Sequence, residues 1–126
     1  MNAQIEHALK TDGLIDITTI GKKTNTPRKI EIAFHNFDNT LYISGLPGKR
    51  DWYANLVAHP QFTFHLKQST HADIPAIATP ITDDVTRKQV LSRVVAKWNR
   101  QAELEAFLKS SPLVRVELQD IPEPVN

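Results

Sequence analysis

The sequence lacks cysteine entirely. Without a thiol, the chain cannot form a disulfide, use a thiolate nucleophile or hold a metal or an iron–sulfur cluster through sulfur. Long apolar runs are also missing: stretches such as Ala76–Ala78 are far too short to span a bilayer, and no basic segment followed by an apolar core opens the chain. We therefore expect a cytoplasmic protein without a transmembrane segment, in which any redox chemistry comes from a bound cofactor.

The sequence has no excess of charge of one sign and few aromatic residues. Fifteen basic and fourteen acidic residues leave a formal net charge of +1, and aromatic residues make up 7% of the chain. Nucleic-acid-binding proteins usually present a strongly basic surface or a platform of stacking aromatic rings. The composition therefore predicts that nucleic acid is not a partner.

Several motifs of catalytic and metal sites are missing as well. The glycine spacing and the Gly-Lys-Ser/Thr ending of a P-loop are absent, and so is the Gly-x-Ser-x-Gly elbow of serine hydrolases. His71 and Asp73 share one face of a predicted strand, but a second close pair of ligands is lacking. We therefore predict no metal site.

What is present is the composition of one ordinary folded domain. Hydrophobic residues account for 40% and charged residues for 23% of 126 residues. This mixture and this length are typical of one globular unit with one core. We therefore expect a single domain over residues 1–126.

The spacing of apolar residues predicts a mainly β chain with a few helices. Helices are predicted near Met1–Lys10, Asp51–His59, Thr82–Trp98 and Leu104–Leu108. Strands are predicted near Leu14–Ile20, Arg28–Phe37, Leu41–Ser44, Phe62–Leu66, His71–Pro80 and Val114–Val116, with Ile121–Asn126 as a tail. The early strands are joined by turns too short for crossovers, so an antiparallel sheet curled into a small barrel with outer helices is expected.

Three local expectations follow from the same patterns. Alternation should place Ile30, Ile32 and Phe34 on one face of their strand, with His35 on the other. Asp51 has the side chain of a good N-cap for the short helix. Pro75 is expected to interrupt its strand, because proline cannot donate to a β-ladder.

A basic loop opened by a glycine joins the first two predicted strands. Gly21–Arg28 carries Lys22, Lys23 and Arg28 without any acid. Backbone N–H groups, ammonium groups, a hydroxyl and a guanidinium on one loop suit the binding of a phosphate. Composition alone is equally compatible with a solvated basic turn.

A second segment combines backbone freedom with aromatic side chains. Ser44–Tyr53 contains two glycines and a proline before Trp52 and Tyr53 at the start of the predicted short helix. Such a segment allows the close approach of a flat ligand to the backbone. The same residues are equally typical of a connection between a hairpin and a helix that has no ligand, with Trp52 packed in the core.

Taken together, the two segments resemble a known family. Thr18–Arg28 resembles the TTxGRKSGxPR signature of the deazaflavin-dependent nitroreductases and quinone reductases, and Asp51–Pro60 resembles their WYxNLxANP signature, in the same order and at a similar separation. The resemblance is close over Ile15–Leu66 and extends to the rest only in layout. It implies an α+β, mainly β, split β-barrel similar to FMN-binding proteins, which binds the deazaflavin coenzyme F-420 and passes its hydride to quinones, nitroaromatics or similar electron-poor acceptors.

The resemblance also implies roles for individual residues. The coenzyme's phosphate and acidic tail would be held by Lys22, Lys23, Thr24 and Arg28. The ring and its linker would lie along Ser44, Gly45, Pro47, Gly48 and Lys49, with Trp52 and Asn55 closing the site from the short helix. Tyr53, Ser44 or bulk water would give a proton to the reduced acceptor, and small barrels of this kind often form homodimers.

This chain departs from the family pattern at several positions. Asn25 replaces a common glycine, although asparagine tolerates a positive φ better than most residues. Ser44–Gly48 replaces a Ser-Lys-Gly-Gly run, so that one lysine is missing or replaced by Lys49, and the tyrosine-rich substrate lid of some relatives has no equivalent. FMN or another flavin in the same fold, and a non-enzymatic coenzyme carrier, remain as alternatives.

Overall fold

The computed structural model describes residues 2–119, so the predicted tail Ile121–Asn126 lies outside the described residues. In chain order the elements are α1 (Ala3–Thr11), β1 (Leu14–Ile20), β2 (Pro27–Phe37), β3 (Thr40–Ser44), α2 (Asp51–Ala58), β4 (Gln61–Leu66), β5 (Ala72–Pro80), α3 (Asp84–Lys97), one 3-10 turn (Gln101–Glu103), α4 (Leu104–Ser110) and β6 (Leu113–Leu118). Every predicted helix and strand within the described range is present. No helix within that range is both long enough and apolar enough to cross a membrane.

The six strands form one closed antiparallel barrel in the order β1-β2-β3-β6-β5-β4, and β4 pairs again with β1. Alternate residues point inward, and the centre holds Phe34 and Phe64 edge to face with ring centroids 5.4 Å apart. Around them lie fully buried aliphatic side chains such as Ile15, Ile17 and Ile43. The burial of this apolar surface is the main source of stability, and the barrel confirms the predicted architecture.

The helices divide into two pairs. α1 and α2 contribute Ile5, Leu9, Trp52 and Leu56 to the cluster that fills the barrel. α3 and α4 pack instead on the outside of the barrel, where they form a second cluster that includes Phe107 and half-buried aromatic residues of β2 and β3. The layer under α3 therefore forms a second hydrophobic core outside the barrel.

The first half of β2 differs from the prediction. Ile30 is 36% exposed although it pairs with the buried Ile17 of β1. β2 pairs with β3 only from Phe34 onward, so its first half has a strand neighbour on one side only. Ile30 therefore lies at an open edge, and the predicted buried face starts later in the strand.

Two further expectations were wrong. Arg50 occupies the N-cap position of α2 without a side-chain hydrogen bond, and Asp51 is the first helical residue. β5 runs through Pro75 without interruption. The pairing of β5 with β6 starts only at Ala76, so Pro75 lies where no ladder bond is needed from its nitrogen, and its carbonyl accepts from Gln119 N at 2.7 Å.

Candidate functional site

The cationic loop and helix α2 are joined directly by Asn55. The backbone N–H of Lys22 donates to Asn55 Oδ1 at 2.9 Å, and Asn55 Nδ2 donates to Thr19 Oγ1 at 3.1 Å. Asn55 is 7% exposed, so both ends of its amide are used inside the protein. A buried amide with both ends satisfied has one orientation. The two segments with family-like motifs therefore lie side by side, fixed by one side chain.

The turn between β1 and β2 is closed by its own backbone. Gly21 N donates to Thr26 O at 2.8 Å and Asn25 N donates to Gly21 O at 2.9 Å. Asn25 has a φ of 56°, which confirms that asparagine replaces glycine here at a left-handed position. A Cβ on residue 21 would overlap the Thr24 hydroxyl, so any other residue here would force the Thr24 side chain to shift.

The cations of this turn point into solvent. Lys22, Lys23 and Arg28 are exposed, and within residues 2–119 none of them has a carboxylate partner. The backbone N–H groups of Gly21, Lys22 and Asn25 are already used within the protein. These three N–H groups are therefore not free to bind an anion, whereas the side chains of Lys22, Lys23 and Arg28 are exposed.

The glycine-containing loop after β3 is braced by the turn between α4 and β6. Gly45 N donates to Pro112 O at 3.2 Å, and Gly48 N donates to Ser110 O at 3.0 Å. Gly48 has a φ of 125°, which side chains rarely allow. The loop therefore has a fixed shape, set by a turn more than sixty residues further along the chain.

Trp52 and Tyr53 differ in their access to a ligand. Trp52 is 7% exposed and packs in the barrel cluster beneath Gly45, so it shapes the loop from inside the protein. Tyr53 is half-buried and lines an open groove of 410 Å³ together with Gly48, Lys49 and Pro112. Of the two aromatic residues at the start of α2, Tyr53 is the one that faces this groove.

A larger cavity lies elsewhere. It has a volume of 600 Å³ and is lined by α1, β3 and β6, including Leu9, Leu41 and Arg115. None of the predicted site residues lines it. The candidate site is the smaller groove, which Gly48, Lys49 and Tyr53 line. The cationic turn is linked to the helix that carries Tyr53 through Asn55.

Ser44 belongs to a buried polar chain that the sequence did not reveal. Its Oγ lies 2.9 Å from His35 Nε2, and His35 Nδ1 lies 3.3 Å from Lys97 Nζ. An ammonium group can only donate, so Nδ1 accepts and the neutral imidazole donates from Nε2 to Ser44. Burial, followed by the charge of Lys97, lowers the pKa of His35 to about 3. Burial also lowers the pKa of Lys97.

A second polar group lies on the open outer face of β1, β4 and β5. His65 Nε2 lies 2.7 Å from Thr18 Oγ1, and His65 Nδ1 lies 2.7 Å from Asp73 Oδ1. Nearby, Lys67 bridges Asp16 and Glu31, and its hydrogen bond lowers the pKa of Asp16. Among residues 2–119, no group of three or more His, Asp or Glu side chains has the arrangement of a metal site.

Comparison with protein families finds a match over almost the whole chain. Residues 1–119 match the family model described as F420H2-dependent quinone reductase. Comparison with curated protein sequences finds no significant match.

Solved structures with the same fold have diverse roles. A heme storage protein from Vibrio cholerae is 12% identical with a TM-score of 0.72, covering 95% of this chain and 92% of its own. A structure described as an F420 reductase is 16% identical with a TM-score of 0.67, covering 90% and 92%. An F420-H2-dependent reductase is 17% identical with a TM-score of 0.61, covering 84% and 95%. At such low identity the likeness confirms the split β-barrel fold alone.

Proposed function

Because the chain belongs to the F420H2-dependent quinone reductase family, we propose that it binds reduced coenzyme F-420 and transfers a hydride to a quinone, a nitroaromatic or a similar electron-poor acceptor. The observation that carries this proposal is the hydrogen bond from Lys22 N to Asn55 Oδ1. It holds the cationic turn against the helix that follows the glycine-containing loop, as a ligand bound by both segments requires.

The residues present fit this coenzyme. The cations Lys22, Lys23 and Arg28 are exposed and suit a phosphate and an acidic tail. The loop from Gly45 to Lys49, fixed by the α4–β6 turn, offers a rigid backbone edge for a flat ring. When bound, the reduced deazaflavin supplies the hydride. The protein's own contribution is to bind, orient and exclude water.

The contributions of Thr24, Ser44, Trp52 and Asn55 are indirect in this proposal. The Thr24 hydroxyl is bonded to Thr26 Oγ1 at 2.8 Å, so it stabilises the turn. Ser44, Trp52 and Asn55 are each less than 8% exposed and support the loop or the turn from inside. The direct contacts are left to the exposed lysines, Arg28 and the loop backbone.

A titration of coenzyme F-420 against the protein tests the phosphate contacts. We expect Lys23→Ala and Arg28→Ala each to raise the dissociation constant about tenfold, because each removes a charge-assisted hydrogen bond of roughly 1.5 kcal/mol. Quenching of deazaflavin fluorescence measures the affinity. Lys88→Ala, which removes an exposed charge from α3, is the matched control.

Three results would contradict the proposal. Unchanged affinity in both variants would show that Lys23 and Arg28 do not contact the coenzyme's phosphate. A purified protein that contains FMN would favour a flavin enzyme on the same barrel. Tight coenzyme binding without reduction of any quinone or nitroaromatic in a panel would indicate a coenzyme carrier.

We assign the proton donor to Tyr53. Reduction of a quinone by one hydride requires one proton to give the hydroquinone, and the Tyr53 side chain lines the open groove. Ser44 is 2% exposed and hydrogen-bonded to His35, so it is less accessible.

Tyr53→Phe should lower kcat at least about tenfold, the low end for loss of a general acid, with little change in the affinity for the coenzyme. Tyr42→Phe, which alters the cluster under α3, is the control. An unchanged kcat in Tyr53→Phe would identify bulk water as the proton source.

A further inference from the structure

The groove beside Tyr53 is strongly one-sided in charge. Its lining includes Lys49, Arg50, Arg87 and Lys109 but no aspartate or glutamate. The whole chain carries a formal charge of only +1. Four cations around 410 Å³ therefore concentrate positive potential in one place, and a concave wall of protein strengthens such a field.

The charge of Arg87 is fixed at the back of this groove. Its guanidinium donates to the carbonyls of Ile81, Phe107, Leu108 and Ser111 at 2.9 to 3.3 Å. These partners are neutral, so they hold the guanidinium in place without cancelling its charge. The ammonium groups of Lys49 and Lys109 are on exposed residues. Arg50 Nη1 donates to Lys49 O at 2.8 Å. Of the four cations, Arg87 is thus fixed in place, and the ammonium groups of Lys49 and Lys109 can reach a ligand.

A buried hydroxyl on the same wall lacks a partner. Ser111 is 3% exposed and lines the groove, and its Oγ is the single buried side-chain polar atom without a hydrogen bond within residues 2–119. Leaving such a group unpaired costs free energy, so native proteins rarely do so without a reason. An anionic oxygen in the groove would accept a hydrogen bond from this hydroxyl.

We propose that this groove binds an anionic substituent of the electron acceptor, so that the preferred substrates are electron-poor rings that carry a carboxylate or a sulfonate. This inference rests on the proposed function. The coenzyme's own anions are assigned to the turn at Lys22, Lys23 and Arg28, which contacts α2 at Asn55, whereas the groove lies at the N-terminal end of that helix. Gly48 and Lys49 line the groove, so the loop along which the ring would lie borders this second cationic region.

A matched pair of acceptors tests the proposal by activity. In the wild type, kcat/KM for 1,4-naphthoquinone-2-sulfonate should exceed that for 1,4-naphthoquinone. Lys109→Ala should reduce the ratio of the two values about tenfold, which corresponds to the loss of one charged contact. Lys88→Ala, an equal loss of charge outside the groove, should leave the ratio as it is. A ratio that is the same in Lys109→Ala and wild type would overturn the proposal.

A binding measurement separates this proposal from the proposed function. Naphthalene-2-sulfonate, which is not reduced, should bind to the protein both without and with saturating coenzyme. Its affinity should fall about tenfold in Lys109→Ala and a few-fold in Ser111→Ala, while Ser111→Ala retains its thermal stability because an unpaired hydroxyl has been removed.

Two outcomes would distinguish a failure of this inference from a failure of the proposed function. Displacement of the sulfonate by the coenzyme, together with weaker coenzyme binding in Lys109→Ala, would assign the groove to the coenzyme and overturn the inference. Sulfonate binding that depends on Lys109 in a protein that binds no coenzyme would support the anion site and overturn the proposed function.

Discussion

Arg87→Ala is expected to lower the free energy of unfolding by about 3 kcal/mol. Arg87 donates to four backbone carbonyls, those of Ile81 directly after β5, of Phe107 and Leu108 in α4, and of Ser111. The carbonyls at the end of a helix mostly lack a partner within the helix, and of the four only Phe107 O is also bonded to a backbone N–H, that of Ser111, among the contacts within residues 2–119. Removing one charged donor leaves several half-buried acceptors unpaired, each at a cost of roughly 1 kcal/mol or more.

Denaturant unfolding of three variants tests this expectation. Arg87→Lys keeps the charge but cannot reach four acceptors with one ammonium group, so it should recover less than half of the loss. Lys88→Ala, on the exposed side of the same helix, should change the stability by no more than about 0.5 kcal/mol. A loss below about 1 kcal/mol in Arg87→Ala would show that water replaces the guanidinium.

His35 should make the protein less stable as the pH falls from about 7 to about 4.5. The folded protein keeps this imidazole neutral, because burial and then the charge of Lys97 lower its pKa to about 3. In the unfolded chain the group takes up a proton near its ordinary pKa of about 6.5. Below that pH the unfolded state binds one more proton than the folded state, so stability is lost at up to about 1.4 kcal/mol per pH unit. The total loss down to about pH 4.5 is roughly 3 kcal/mol.

The contacts of His35 allow the loss of stability at acidic pH to be assigned to this residue. Lys97 from α3 is the charged side chain that contacts the ring, Ser44 accepts from it, and Phe37 and Trp98 pack on its faces. The carboxylates of Asp16 and Asp83, whose pKa values are lowered by hydrogen bonds, lose their contribution only at lower pH. His35→Gln should therefore flatten the curve between about pH 6.5 and 4.5. An equally steep curve in that variant would assign the acid sensitivity to other groups.

The barrel was predictable because its signals are local. Alternating apolar residues and short turns identify each strand, and the left-handed Asn25 and the end of α2 near His59 follow from the preferences of single residues. The contact between the cationic turn and α2 was expected from two motifs together, and Asn55 supplies it.

The contacts that decide the chemistry of the site were not predictable, because they join distant parts of the chain. Lys97 lies 62 residues from His35, and nothing in the local pattern of either residue points to the other. The partners of Arg87 are backbone carbonyls, which leave no trace in a sequence. Ser44 is buried and bonded to His35, whose ring contacts Lys97 and Trp98, and alternation within one strand cannot show these contacts.

The predicted homodimer, the cytoplasmic location and the direct role of Lys49 and Pro47 at a bound ring stay predictions. Each depends on a molecule or a compartment outside the chain. The coenzyme titration and the pair of naphthoquinone acceptors described above test the binding of the ring. Sedimentation would measure whether the protein is a dimer.

The position of β6 in the barrel has a consequence for synthesis on the ribosome. This last strand is inserted between β3 and β5, which lie far earlier in the chain. Until Leu113–Leu118 has emerged, β3 and β5 each keep an edge without a hydrogen-bonded neighbour. Unpaired edges are templates for aggregation. We therefore expect a nascent or truncated chain that stops before β6 to expose both edges and to aggregate more readily than the full chain.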